Sequence, residues 1–289
     1  MAETKSSTPS KIAVVWNRVP ALVRGALVAL LILGAGQLPP AIFLILGLRL
    51  TPTVPWFVVG TLTWLALFWM YLDGRWWPAA TAERRRRNLR GRVPSFNVCL
   101  WTLVAGGLGM ASVLSGALLT GLVADLPAAA HEAPFDLSPY PRWTALAFLL
   151  NIALVAGVIE EAAFRGYMLS IVEGRHGWVI GIASVAVLFY VVHRGHAYAT
   201  LDFLPFFFAY SALHGVLVYF ARSILPSVVL HTLGDLAILP VQYGLVPNPM
   251  GSSVSIHLVV LLGSGLAAGL GLWRLANITR AYRAGETAS

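Results

Sequence analysis

Long apolar stretches recur along the whole 289-residue sequence and constrain its fold more than any other feature. A helix that crosses a bilayer needs roughly 20 apolar residues, and eight stretches reach or approach that length. Only 11% of the residues are charged, against about 25% in soluble domains. The sequence therefore predicts an all-α, polytopic membrane helical bundle with about eight transmembrane helices, and it excludes a soluble enzyme, a disordered chain and a coiled coil. The predicted spans are 25–46, 54–72, 98–119, 143–169, 178–192, 203–220, 224–243 and 254–275.

Two of these spans have features that predict local structure. The first contains Gln-Leu-Pro-Pro at 37–40, and proline cannot donate a helical backbone hydrogen bond. We therefore expect a kink there, or an incomplete crossing. Spans 203–220 and 224–243 are separated by three residues, which predicts a tight turn.

The distribution of arginine predicts the orientation of the chain in the membrane. Segment 73–97 contains seven arginines and should be cytoplasmic, whereas segment 123–142 contains Asp125, Glu132 and Asp136 against one arginine and should lie outside. Eight crossings with both termini in the cytoplasm satisfy these constraints, and six or seven crossings remain an alternative. The net charge of +8 is thereby assigned to topology and to lipid headgroups rather than to nucleic acid. We expect a multi-pass protein of the cell (inner) membrane with the lipid bilayer as partner.

Three charged residues lie inside the fourth predicted span: Glu160, Glu161 and Arg165. Each charge near the bilayer centre costs about 2.5–3.5 kcal/mol on insertion scales. Glu161 and Arg165 are four residues apart, so they can pair on one helical face. Glu160 points about 100° away and has no mate on its own helix. An unpaired carboxylate inside a bundle is suited to act as a general base; the alternative is that the cluster is a salt bridge that fixes helix packing.

Two further spans carry polar side chains at helical spacing. His193 follows Phe189 at the end of the fifth span, and His231 precedes Asp235 by four residues in the seventh. Taken singly, each of these pairs is a weak signal. The remaining histidines of the spans and their ends are interpreted as packing or headgroup-level residues: His196, His214 and His257.

Three motifs occur in order on three spans: Glu-Glu-x-x-x-Arg at 160–165, Phe-x-x-x-His at 189–193 and His-x-x-x-Asp at 231–235. Together they resemble the CPBP family of intramembrane proteases, which includes CAAX prenyl endopeptidases and bacteriocin-processing proteins. The resemblance covers about 143–243. It implies a catalytic core at 143–245. The apolar stretches and the arginines predict, before this core, a cytoplasmic tail at 1–20 and spans at 21–142 with the basic cytoplasmic loop 73–97. Residues 246–289 would form the last span and a cytoplasmic tail.

The resemblance also implies a role for each motif residue. Glu160, together with His193, would hold and deprotonate a water that attacks a peptide carbonyl. His231 and the residue at 235 would stabilise the oxyanion, and Glu161 with Arg165 would orient Glu160. One position departs from the prenyl-protease pattern, because Asp235 stands where those members carry Asn. An ionised Asp cannot donate a hydrogen bond, so Asp235 either supports the oxyanion in its protonated form or orients His231.

The predicted function is hydrolysis of a peptide bond in a membrane-associated peptide or membrane protein. No cofactor is expected, although Glu160, His193 and His231 supply the carboxylate and two imidazoles seen in zinc hydrolases, so a divalent metal such as zinc remains an alternative. The Arg-, Ala- and Leu-rich composition is typical of a GC-rich bacterial genome, and bacteria generally lack protein prenylation, so we do not expect a prenylated substrate. Two other functions remain open: a non-catalytic immunity or scaffold protein, and an ion-coupled transporter. The sequence predicts no oligomeric state.

Overall fold

The computed structural model describes Trp16, 18–124, Leu126, 135–247, Gly251 and 253–286. Within these residues the regular structure is entirely helical, with nine α-helices and no strand. The predicted all-α membrane bundle is confirmed. Two acidic residues of the predicted outer segment, Asp125 and Glu132, lie outside the described residues. The helices are α1 Ala21–Leu50, α2 Phe57–Leu72, α3 Ala82–Leu89, α4 Phe96–Val123, α5 Arg142–His176, α6 Trp178–His193, α7 Leu204–Ala221, α8 Leu225–Gln242 and α9 Val254–Glu286.

Each of the eight predicted spans corresponds to a helix. Six of these helices (α1, α4, α5, α7, α8 and α9) are long and apolar enough to cross a membrane. Helices α2 and α6 are apolar but have 16 residues each, which gives about 24 Å at 1.5 Å per residue, short of a hydrocarbon core of about 30 Å. Because six helices are long and apolar enough to cross, the chain is a multi-pass membrane protein.

The first helix runs through its two prolines without a break. Pro40 has no N–H to offer to the carbonyl of Gly36, four residues earlier. The indole Nε1 of Trp64 in α2 donates to that carbonyl at 3.2 Å, so the group is satisfied by a neighbouring helix. The helix continues for 30 residues, which is long and apolar enough to cross a membrane.

Proline also marks where several helices begin. At the start of a helix its missing N–H costs no hydrogen bond, and its fixed φ suits the first turn. The prolines at helix starts are Pro20 and Pro141, just before α1 and α5, and Pro205 and Pro226, in the first turns of α7 and α8.

Helices α7 and α8 are joined by a short turn of three residues, 222–224. Arg222 adopts a left-handed φ of 53°, which ends α7. The predicted tight turn is confirmed.

Helix α5 lies at the centre of the bundle, and α9 lies at its edge. Half of the most apolar window of α5 is buried, against 17% for α9. Helix α5 packs against α1, α8 and α6, whereas α9 packs mainly along α4. The outer side of α9 exposes leucines such as Leu266 and Leu270, as expected for a face in contact with lipid. The charged motif of α5 is thus placed in the interior of the protein.

Candidate active site

The middle of α5, Ala156–Met168, is a π-helix and carries Glu160, Glu161 and Arg165. Such i→i+5 segments are rare and occur frequently at functional sites. The sequence predicted regular α-helical spacing here, so the π-helix is a finding of the structure. The wider turn still brings Glu161 and Arg165 together, as the i,i+4 spacing predicted.

Two glycines allow neighbouring helices to approach this segment closely. A Cβ on Gly157 would collide with Thr232 of α8, and a Cβ on Gly36 of α1 would lie 2.5 Å from Ile159. Because neither position has room for a side chain, α8 and α1 lie directly against the π-helix. This close packing brings His231 and Gln37 beside the two glutamates.

Glu161 and Arg165 form an ion pair that is sealed from solvent. Arg165 Nη1 lies 2.9 Å from Glu161 Oε1, and both side chains are 0% exposed. The guanidinium also lies over the ring of Phe189 in α6, 4.8 Å from its centroid, and donates a long hydrogen bond to the Ser211 carbonyl of α7 at 3.4 Å. A buried ion pair is tolerated only when further polar contacts compensate for lost hydration, and these contacts supply part of that compensation.

The Glu161 carboxylate is the centre of a hydrogen-bond network with α7 and α8. His231 Nδ1 donates to Oε1 at 2.9 Å, and the Ser227 hydroxyl donates to Oε2 at 2.6 Å. Because the Ser227 proton is used in this way, His214 Nδ1 donates to Ser227 Oγ, at 2.6 Å. Glu161 therefore orients His231 in this structure. The role that the resemblance implied for it, orienting Glu160, stays a prediction.

Glu160 has a different set of contacts from those of Glu161. Gln37 Nε2 donates to its Oε1 at a long 3.4 Å, and its Oε2 lies 3.9 Å from His231 Nε2. The residue is 8% exposed, and that exposed part faces a cavity. The two adjacent glutamates thus have different environments. Both carboxylate oxygens of Glu161 accept hydrogen bonds, whereas Oε2 of Glu160 is available to a bound molecule.

A cavity of about 530 Å³ collects four of the six predicted site residues, namely Glu160, His193, His231 and Asp235. Glu161 and Arg165 lie behind its wall. His196, in the loop after α6, also lines the cavity. Its partial burial lowers its pKa; the nearby His193 lowers this pKa further, and the charge of Glu160 opposes the shift. Most of the remaining wall is apolar or aromatic and includes Leu114, Leu118, Phe189, Phe203, Phe206, Phe207 and Tyr210. The cavity therefore combines a polar end with an apolar lining.

His193 is held by the motif that precedes it. Its Nδ1 lies 2.6 Å from the Phe189 carbonyl, and because a carbonyl only accepts, Nδ1 carries the proton. In the neutral ring, Nε2 is then the nitrogen that accepts a hydrogen bond. The Phe189 ring packs against that of His193, with centroids 4.4 Å apart, and the Arg165 guanidinium also lies over it. Phe189 thus connects the buried ion pair to His193.

Asp235 lies at the cavity wall one turn after His231. Its Oδ2 is 3.8 Å from His231 Nε2, which is beyond hydrogen-bond distance. The atom that fixes the imidazole is Glu161 Oε1, on the opposite ring nitrogen. The sequence left two roles open for Asp235, support of the oxyanion and orientation of His231. In this structure it is Glu161, and not Asp235, that hydrogen-bonds to His231 and orients it.

A metal would require ligands that converge on one point. Over the described residues, no group of three or more His, Cys, Asp or Glu side chains is arranged to hold a metal ion. Glu160, His193 and His231 share the cavity but do not form such a group. The residues present thus do not fit a zinc site.

Sequence reasoning missed several residues around the site. Gln37 was noted only as part of a break in the first span, and Ser227 was not singled out. His214 was interpreted as a packing histidine; it is 0% exposed, lies outside the cavity and belongs to the Glu161 network. Tyr210, within the predicted span 203–220, was not singled out either; it is 5% exposed and lines the cavity. A polar residue within an apolar span was the available signal for Gln37 and His214.

Comparison with known proteins identifies the part of the chain that carries this site. A search of curated proteins and a search of solved structures each found no match. Residues 142–237 match a family model described as type II CAAX prenyl endopeptidase Rce1-like. The match begins at the first residue of α5 and contains all six predicted site residues. It confirms the resemblance seen in the motifs: this region is similar to the Rce1-like CAAX prenyl endopeptidases, a family that implies a peptide hydrolase and is consistent with a CPBP intramembrane protease.

Proposed function

We propose that the chain is an intramembrane endopeptidase in which Glu160 activates a water molecule for attack on a peptide carbonyl. The observation that carries the proposal is the shared cavity. Glu160, two imidazoles and Asp235 line it, and the Glu161–Arg165 ion pair supports it from behind. A general base, a hydrogen-bond acceptor and convergent polar groups within one cavity are the requirements for carbonyl hydrolysis.

In the first step, Glu160 takes a proton from water as the water oxygen bonds to the carbonyl carbon. Gln37 already donates to Oε1, so Oε2 is the oxygen that we assign to the water. His193 Nε2 accepts the second water hydrogen, since Nδ1 is occupied by the Phe189 carbonyl. The carbonyl π electrons move to its oxygen, which becomes the oxyanion of a tetrahedral intermediate.

In the second step, the intermediate collapses. The oxyanion re-forms the carbonyl, the C–N bond breaks, and Glu160 returns its proton to the departing amine nitrogen. The products are a carboxylic acid and an amine, and Glu160 is again ionised. His231 Nε2 lies 3.9 Å from Glu160 Oε2, and when this nitrogen carries a proton it can donate to the oxyanion. Glu161 keeps the imidazole in place through Nδ1.

The lining of the cavity suggests the class of substrate. Its apolar wall suits an apolar side chain or segment, which is what a membrane-associated peptide or a membrane protein presents. The matched family is named for prenyl endopeptidases. For this chain we propose a peptide without a prenyl group, because its composition is typical of a bacterial genome.

We also propose that both termini lie in the cytoplasm and that the protein resides in the inner membrane. The proposal is supported by the arginines of α3, of which Arg84, Arg86 and Arg87 are exposed. It requires the short apolar helices α2 and α6 to cross the membrane in addition to the six long ones. Exposed arginine between spans favours the cytoplasmic side.

The proposal is tested by comparing new protein N-termini from cells that express the wild type or Glu160→Gln at equal membrane levels. Glutamine has the shape of glutamate and its carbonyl can still accept from Gln37, so the fold should be retained. It cannot take a proton from water. Cleavage products found with the wild type and absent with Glu160→Gln are expected, and they identify the scissile bond.

Glu83→Gln is the matched control, because it makes the same chemical change on α3 at a side chain that is 70% exposed. It should give the wild-type set of products. Identical profiles for the wild type and Glu160→Gln, with both proteins folded, would contradict the proposal and favour a scaffold or a transporter.

A further inference from the structure

Tyr210 of α7 is a buried tyrosine whose hydroxyl lacks a hydrogen-bond partner within the described part of the chain. The residue is 5% exposed and lines the cavity. Buried tyrosine hydroxyls usually find a partner, and an unpaired buried donor is unfavourable. A donor left unpaired at the wall of a cavity is available to a molecule that enters it.

The hydroxyl lies beside the face of α8 that carries the motif residues. The rings of Tyr210 and His231 are edge to face, with centroids 5.3 Å apart. Tyr210 Oη is 4.0 Å from the point that a Cβ on Gly234 would occupy. Gly234 lies between His231 and Asp235 in the sequence, and it also lines the cavity. The phenol therefore reaches the part of the cavity where the proposed chemistry takes place.

The proposed reaction needs more donors than its motif residues offer. Negative charge develops on the carbonyl oxygen, and preorganised donors at that oxygen provide much of the rate enhancement in acyl transfer. Asp235 in its ionised form only accepts hydrogen bonds. His231 has committed Nδ1 to Glu161, so it can offer one donor at most.

We propose that Tyr210 is a catalytic residue whose phenolic hydroxyl donates a hydrogen bond to the oxyanion of the tetrahedral intermediate. The inference rests on the proposed endopeptidase function. No covalent bond to Tyr210 forms or breaks; its O–H remains intact, and the hydrogen bond is strongest while the carbonyl oxygen carries the negative charge. Tyr210 thus supplies the donor that the carboxylate of Asp235 does not.

The test compares the hydrolysis rates of the wild type and Tyr210→Phe in detergent. The substrate is a quenched fluorescent peptide that spans the scissile bond, which the comparison of the wild type with Glu160→Gln in cells identifies. Phenylalanine keeps the ring contacts with Phe189 and His231 and removes only the hydroxyl. We expect kcat to fall by about 10²–10³-fold, as on removal of one oxyanion donor. Since the interaction is made in the transition state, KM should stay within about twofold. The thermal unfolding midpoint should not fall, because an unpaired group is removed.

Tyr167→Phe is the matched control. Tyr167 is on α5 and, like Tyr210, is buried, but it lies outside the cavity and its hydroxyl donates to the Leu72 carbonyl at 2.8 Å. This variant should unfold at a lower temperature and keep its kcat. A second comparison uses Asp235→Asn, whose amide can donate to the oxyanion. In that background, Tyr210→Phe should reduce kcat by a smaller factor than in the wild type.

The outcomes separate the two proposals. An unchanged kcat in Tyr210→Phe, with Glu160→Gln inactive, overturns the role of Tyr210 and leaves the endopeptidase proposal standing. A loss of thermal stability as large as that of Tyr167→Phe makes the hydroxyl structural and overturns its catalytic role. If the wild type and Glu160→Gln yield the same products, the endopeptidase proposal fails and the role of Tyr210 fails with it.

Discussion

Glu160 and Glu161 are adjacent in the sequence, and the same Glu-to-Gln substitution is expected to have opposite consequences at the two positions. Glu160→Gln should abolish peptide hydrolysis and leave the fold intact. Glu161→Gln should destabilise the fold, because Glu161 is the counterion of Arg165 and both side chains are 0% exposed. The contrast tests which glutamate faces the cavity and which one holds the bundle together.

The expected loss of stability in Glu161→Gln comes mainly from charge. A glutamine carbonyl at the Oε1 position can still accept from His231 and contact Arg165, and Ser227 can rotate to accept from the new amide. What disappears is the negative charge beside a fully buried guanidinium. Removing one partner of a buried ion pair costs about 3–5 kcal/mol. With about 2–4 °C per kcal/mol for a domain of this order of size, the midpoint should fall by about 6–20 °C.

The assay is thermal unfolding of the purified proteins in detergent, followed by intrinsic tryptophan fluorescence. A double variant, Glu161→Gln with Arg165→Met, is the internal control, since it removes both charges and preserves volume. If an uncompensated guanidinium causes the loss, the double variant should be more stable than Glu161→Gln alone, and the two substitutions should couple by about 0.5–3 kcal/mol.

Two results would contradict the role of Glu161 as the counterion of Arg165. A midpoint for Glu161→Gln within the error of the wild type would mean that the buried charge of Arg165 is compensated elsewhere. Additive losses in the double variant would mean that the two side chains contribute through shape and hydrogen bonds rather than as an ion pair.

Three further predictions follow from the geometry. Gly157→Ala should destabilise the protein by about 1–3 kcal/mol and lower kcat, because its Cβ collides with Thr232; Gly107→Ala, where no atom lies within 4 Å of the added Cβ, should have neither effect. Glu173→Gln should lower the free energy of unfolding by about 1–2 kcal/mol, because Glu173 pairs with Arg90 at 2.9 Å and with Arg222 at 3.1 Å. Unfolding in low and in high salt measures this loss, and a loss that does not shrink at high salt would contradict the ionic explanation. Chelation with EDTA should leave peptide hydrolysis unchanged, since the proposed water activation uses side chains alone; a loss that added zinc restores would contradict this mechanism.

The fold class and the local pairing of the motif residues follow from the amino-acid sequence. The lengths of the apolar stretches fix the helices, because in lipid each helix must satisfy its own backbone hydrogen bonds. The spacing of Glu161 and Arg165 fixes their pairing, since residues four apart share a helical face. The same rule places His231 and Asp235 at one wall of the cavity.

What each of these side chains faces depends instead on the packing of the helices. Sequence periodicity gives direction relative to a helix's own axis, and the neighbours on each side depend on how the helices pack. The partner of His231 is Glu161, 70 residues away, and the partner of Glu160 is Gln37, 123 residues away. The position of the Tyr210 hydroxyl, at the cavity and beside His231, depends on the packing of α7 against α8. The π-helix belongs to the same category, because a shift in backbone hydrogen-bond register leaves no mark in the pattern of apolar residues.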